Sequence, residues 1–143
     1  MEYFQGGRAG DTLLARFDYG DDIIEGIQEV IEREGIKSGV VVSGIGTFMK
    51  CVLHMVTTTT YPPVEKFITL EGATELVSLQ GLIADGQPHL HAMISDTEKA
   101  VGGHLEPDSI VLYLAEVCIQ RLDDARLTRL PHPEHKIMQL KQE

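Results

Sequence analysis

The sequence predicts an α+β domain, a mainly antiparallel β-sheet with one principal amphipathic helix packed on it. Three observations carry this. Only one segment, about residues 22–34, has strong helical periodicity. Most other apolar runs are β-branched, and several alternate in the manner of strands. Hairpin-length turns separate them, rather than the further helices that a parallel βαβ sheet would need.

Leu13, Ala15 and Phe17 alternate along a first strand, which Gly20-Asp21-Asp22 ends. Asp22 followed by Glu25 has the spacing of a helix N-cap and its third residue. Ile23, Ile24, Ile27, Val30 and Ile31 then recur at helical spacing, with Asp21, Glu25, Glu29 and Glu32 opposite, and Gly35 supplies a left-handed stop. Gly39 to Ile45 is apolar but for Ser43, the pattern of a strand buried on both faces. Cys51 to Thr58 is a further strand, and Tyr61-Pro62-Pro63 makes a turn or an edge. Lys66 to Leu70 alternates loosely, Glu71-Gly72-Ala73 is a turn, and Thr74 to Ala84 is a long strand. Asp85-Gly86 is a hairpin signal before His89 to Ser95. Ser109 to Cys118 closes the core, Arg121 to Leu127 is a candidate last strand, and the tail beyond Pro131 has little pattern.

A length of 143 residues fits one core, so a single domain over 1–143 is expected, with its core at about 8–127 and a loosely structured tail at 128–143. Tyr3-Phe4-Gln5-Gly6 resembles the end of a protease-cleavage tag, yet the start runs smoothly from Met1 into Arg8; a native start is preferred and carries no weight in the fold. No apolar run is long enough to cross a bilayer and no signal-peptide pattern is visible, so no membrane association and a cytoplasmic location are expected. Cys51 and Cys118 each sit in an apolar run and read as reduced core thiols. The net charge of −10, from 12 basic and 22 acidic residues, argues against nucleic acid, whose affinity comes mostly from Lys and Arg on phosphates.

The chemistry concentrates in Pro88-His89-Leu90-His91 and Gly102-Gly103-His104-Leu105. On a strand, His89 and His91 point to the same side, with Leu90 turned away. A double glycine then delivers His104 from a nearby turn. Three converging neutral imidazoles can hold a divalent transition metal, zinc foremost, with one coordination position open. The plainer alternative is three polar residues on a half-exposed strand. Glu116, within Leu112 to Val117, and Glu75, within Ala73 to Val77, are carboxylates in apolar strands; each is a candidate general base or imidazole-orienting group, or else points to solvent or an oligomer interface. His54 reads as a hydrogen-bonded core or interface histidine, and His132 and His135 as solvated. Gly44-Ile45-Gly46-Thr47 resembles part of a phosphate loop but precedes no helix, so a bulge or close backbone approach is the better reading.

Together, Val42-Ser43-Gly44-Ile45-Gly46-Thr47, Gly72 to Gly81, Pro88 to His91, Gly102 to Leu105 and Ala115-Glu116-Val117 resemble the plants-and-prokaryotes-conserved (PPC) domain, over about Arg8 to Leu127. The resemblance implies an α+β fold similar to that of acetolactate decarboxylase, a homotrimer, and a zinc-like ion on His89, His91 and His104. It also implies a DNA-binding label, since plant members carry an AT-hook. This chain has no Arg-Gly-Arg-Pro core, and only Gly72, Glu75 and aliphatic character remain of the plant Gly-Arg-Phe-Glu-Ile-Leu segment. The expectation is a trimeric metal-binding protein of unassigned activity with room for a small-molecule ligand. A DNA-associated or regulatory assembly module, or a zinc-dependent lyase or decarboxylase-like enzyme, are the alternatives.

Overall fold

A computed structural model describes residues 1–143. The chain runs β1 (Arg8–Asp18), α1 (Ile23–Arg33), β2 (Ser38–Val56), β3 (Glu65–Ala84), β4 (Gln87–Ser95), β5 (Ala100–Leu105), β6 (Ile110–Asp123), β7 (Leu127–Pro131) and β8 (Met138–Gln142). The first six strands form one antiparallel sheet in the order β1-β6-β2-β3-β4-β5, and β7 and β8 form a separate hairpin. The α+β expectation holds: the architecture is mostly antiparallel sheet with a single short helix.

Asp22 caps α1 as its spacing predicts. Its Oδ1 accepts the backbone N–H groups of Ile24 (2.9 Å) and Glu25 (3.2 Å), and its Oδ2 accepts that of Asp108 (2.5 Å). The last bond ties the helix start to the turn before β6. Ile23, Ile27 and Ile31 are buried, and they pack with Phe17, Phe48, Leu79, Leu90 and Ile119 in one core cluster between helix and sheet.

Four strand expectations need correction. The two strands separated at Ile45 and Cys51 are one, β2, because Gly46 packs against Leu114 and Ala115 of β6 and the strand bends without breaking. Glu71-Gly72-Ala73 is a bulge inside β3, not a turn. Between the pairs Phe48–Thr74 and Lys50–Glu71 the β3 side carries one extra residue, and Gly72 takes φ +99°. Gly39 to Ile45 is not buried on both faces, since Val42 and Ile45 remain 55% and 53% exposed on the outside of the sheet. The last strand of the main sheet is Ile110–Asp123, which absorbs the start of the Arg121–Leu127 candidate.

The tail is also more ordered than its composition indicates. β7 and β8 form a hairpin, anchored where Ser38 Oγ accepts the Leu127 N–H (3.1 Å) and the Leu127 carbonyl accepts the Asp85 N–H (2.8 Å). The hairpin expected at Asp85-Gly86 is present, with both residues at positive φ (49° and 71°) as a primed turn requires.

What positions the functional face is the way the sheet closes. One edge of β2 pairs with β3. The other pairs with β6 from Gly39 to Lys50 and then with β5 at Leu53 and His54. β5 also pairs with β4, and β4 with β3, so β2, β3, β4 and β5 make a ring. Gly103 permits the closure: a Cβ there would lie 2.7 Å from the His54 carbonyl oxygen. Gly103→Ala is expected to lower stability to urea by about 1–3 kcal/mol, with amide shifts concentrated at Leu53, His54, His104 and Leu105. Unchanged stability would contradict this account of the closure.

Candidate metal centre

Alternation along β4 puts His89 and His91 on the outer face and buries Leu90, 1% exposed, on the inner one. His104 comes not from a turn but from strand β5. Its cross-strand partners are His91 on one side and His54 on the other. The ring centroids of His89 and His104 are 4.7 Å apart, those of His89 and His91 5.3 Å, and those of His91 and His104 5.4 Å. One ring nitrogen from each of His89, His91 and His104 lies within 4.8 Å of the others. The structure therefore brings together the three histidines singled out from sequence.

Two further residues join them. His54 stacks on His104 with centroids 4.4 Å apart, and its Nδ1–H donates to Glu106 Oε1 at 2.5 Å. Glu106 Oε1 also lies 3.8 Å from His104 Nε2, so His54, His104 and Glu106 form a second potential donor set sharing His104. Sequence reading assigned His54 to a hydrogen-bonded position, which holds, but missed Glu106. The signal was available: Glu106 stands two residues beyond His104, the same spacing that relates His89 to His91.

Glu116 and Glu75 do not reach this centre. Glu116 opposes Arg16 and Ile45, and Glu75 opposes Thr47 and Ser95; both are exposed on the outer face, so neither incurs the burial cost inferred from its apolar neighbours. His132 and His135 are half-buried rather than freely solvated, stacked on each other at 3.8 Å with Tyr61 against His135. Cys51 is buried, and burial pushes its thiol up to about 11, which makes it an inert core group.

The histidines line an open cavity of about 1120 Å³ whose other wall includes Thr128, Arg129, Ile137 and Met138 from the β7–β8 hairpin. Arg129 donates from Nη2 to the Leu82 carbonyl (2.9 Å) and from Nη1 to the Gln87 carbonyl (3.2 Å). Burial, then the neighbouring His89 and His54, push His104 down to about 4, against an upward pull from Glu106. Burial, followed by Arg129, His91 and His54, lowers His89 below the ordinary imidazole value. Both imidazoles thus favour the neutral, lone-pair form that a metal requires.

The same shifts set a pH dependence for the metal-free protein. His104 binds a proton more weakly folded than unfolded, so its contribution to stability is complete above about pH 6.5 and declines as the pH falls toward about 4. Urea unfolding across that range is expected to show a shallower decline in His104→Gln than in the natural chain; identical slopes would contradict the assignment.

Residues 4–123 match the Plants and Prokaryotes Conserved domain. Among solved structures, the metal-containing protein AF0104 from Archaeoglobus fulgidus is similar, with 26% identity, 99% of each chain covered and a TM-score of 0.82. A plant- and prokaryote-conserved protein from Pyrococcus horikoshii is 28% identical, with 92% of each chain covered and a TM-score of 0.77. A Bacteroides thetaiotaomicron protein whose name proposes DNA binding shares the fold at 19% identity, with 96% of this chain and 98% of its own covered and a TM-score of 0.78. The bifunctional protein GlmU of Synechococcus sp. (strain JA-3-3Ab) is 24% identical over 122 residues, 85% of this chain; the match spans 19% of that protein's length. The match over most of the chain and the antiparallel fold it shares with these structures lead to one conclusion: the chain belongs to the Plants and Prokaryotes Conserved domain family.

Proposed function

We propose that this is a metal-binding protein in which His89, His91 and His104 hold a divalent transition ion, zinc foremost, with an open coordination position. The observation that carries the reading is the convergence of three ring nitrogens within 4.8 Å on one sheet face. Zinc takes imidazole nitrogens at about 2.0–2.1 Å, so modest side-chain adjustment draws the donors in. The depressed proton affinity of His89 and His104 fits the same use. When bound, such an ion supplies a Lewis acid for a carbonyl or a water. The chain's own part is to orient the ligands: Glu106 and His54 pack against His104, and strand pairing fixes His91 beside it. An ion held by three imidazoles with one position open extends the reading to a small-molecule ligand and to lyase-type chemistry, with no substrate named.

A homotrimer located in the cytoplasm completes the proposal. The outer sheet face exposes Leu14, Val42, Ile45, Val77 and Tyr113, apolar surface that a second copy would cover. No helix is long and apolar enough to cross a membrane. The name of the Bacteroides thetaiotaomicron neighbour favours a DNA-associated module, but the net charge of −10 opposes it.

Metal analysis of protein purified with zinc is expected to find about one ion per chain. His89→Ala and His104→Ala are each expected to lose most of it. Equal metal content in all three would overturn the reading. Titration with A·T-rich duplex is expected to show only weak association that falls steeply with salt; tight, salt-tolerant binding would favour the DNA-associated alternative.

A further inference from the structure

We propose that Arg129 fixes the charged end of an anionic small molecule in the histidine cavity, so that the ligand carries a carboxylate or phosphate group. The inference rests on the cavity being the ligand site proposed above.

The cavity contains one basic side chain capable of this. Arg129 is the only Arg or Lys on its wall, in a chain with nearly twice as many acidic as basic residues. Its guanidinium is held in place by backbone rather than by an acid. Leu82, whose carbonyl accepts from Nη2, is the cross-strand partner of His89, and Gln87, whose carbonyl accepts from Nη1, precedes His89 by two residues. These two bonds hold the fork at the His89 end of the cluster.

What the fork lacks is a negative partner. Arg8, Arg16, Arg33 and Arg121 each face an acidic side chain; Arg126 faces none but is exposed to water, whereas Arg129 is half-buried with no carboxylate within 4.0 Å. Glu65 and Asp85 are on the same cavity wall, and neither reaches it. A guanidinium carries five N–H donors, and two backbone carbonyls leave donors to spare. Half-buried charge without a partner is costly, and burial indeed works against the charge of Arg129. A planar carboxylate or a phosphate would meet the remaining donors and offset that cost.

The test follows the Arg129 Nε–H signal and the Met138 methyl signal by NMR while acetate or methylphosphonate is added, with and without zinc. Acetamide is the neutral control. Saturable shifts are expected with at least one anion and none with acetamide. The tighter-binding anion tells carboxylate from phosphate ligands. Arg129→Gln is expected to weaken binding, read at Met138, by about tenfold or more, and Arg129→Lys by less. Retained β7–β8 amide signals in both variants show that the hairpin is intact. Equal affinity in the natural chain and Arg129→Gln, or no anion binding by the natural chain, overturns the assignment. If the protein holds no zinc, the metal reading fails, and the same titration without zinc decides the anion claim separately.

Discussion

The structure depends on how one strand, β2, is shared. Its outer edge pairs with β6 as far as Lys50 and then passes to β5 at Leu53 and His54. Without that hand-over the sheet would end at β5 with an open edge, and β5 would have no partner beyond β4. With it, His104 sits between His91 and His54, and the consecutive strands β4 and β5 join the remote β2 in presenting a row of imidazoles. The place of His104 in the candidate centre descends from this closure: its proximity to His91 and His54, its partial burial, and its low proton affinity.

The closure also divides labour between the two sheet faces. Inward, it packs Leu53, Leu79, Leu90 and Leu105 into the core that α1 covers. Outward, it leaves polar donors around the cavity and a separate apolar patch around Val42, Ile45 and Tyr113. Alternation along strands achieves both at once, because each buried leucine in β4 or β5 aims its neighbouring histidine away from the core. A core substitution such as Leu90→Ala would therefore disturb the histidine geometry as well as stability.

Much of this was legible in the sequence, and the parts that were not have a common cause. Helix α1 carries its own punctuation in Asp22 and Gly35, and the hairpin at Asp85-Gly86 is a local signal. His89 and His91 share a face by spacing alone. Long-range pairing has no such local mark. Gly72 looks like a break because a bulge and a turn use the same residues, and only the neighbouring strand decides between them, whereas the close backbone approach read from Gly44–Thr47 is present at Gly46. Gly102 and Gly103 looked like a turn for the same reason, although they serve close approach to β4 and β2. For Glu116 and Glu75 the solvent-facing alternative holds, because a strand flanked by apolar residues need not bury both faces, while Glu106, just past β5, lies beside His54 and His104. The tail has weak periodicity and is held by bonds to Ser38 and Asp85 that no local pattern reveals, which hid Arg129 and the cavity wall it belongs to.

The central claim is that the closed ring of β2 to β5 builds a three-imidazole ion site. The most direct measurement is anomalous diffraction at the zinc absorption edge from crystals grown with zinc. The account predicts one strong peak per chain, within coordination distance of ring nitrogens of His89, His91 and His104. A peak held instead by His54, His104 and Glu106, or no peak at the histidine cluster, would contradict it.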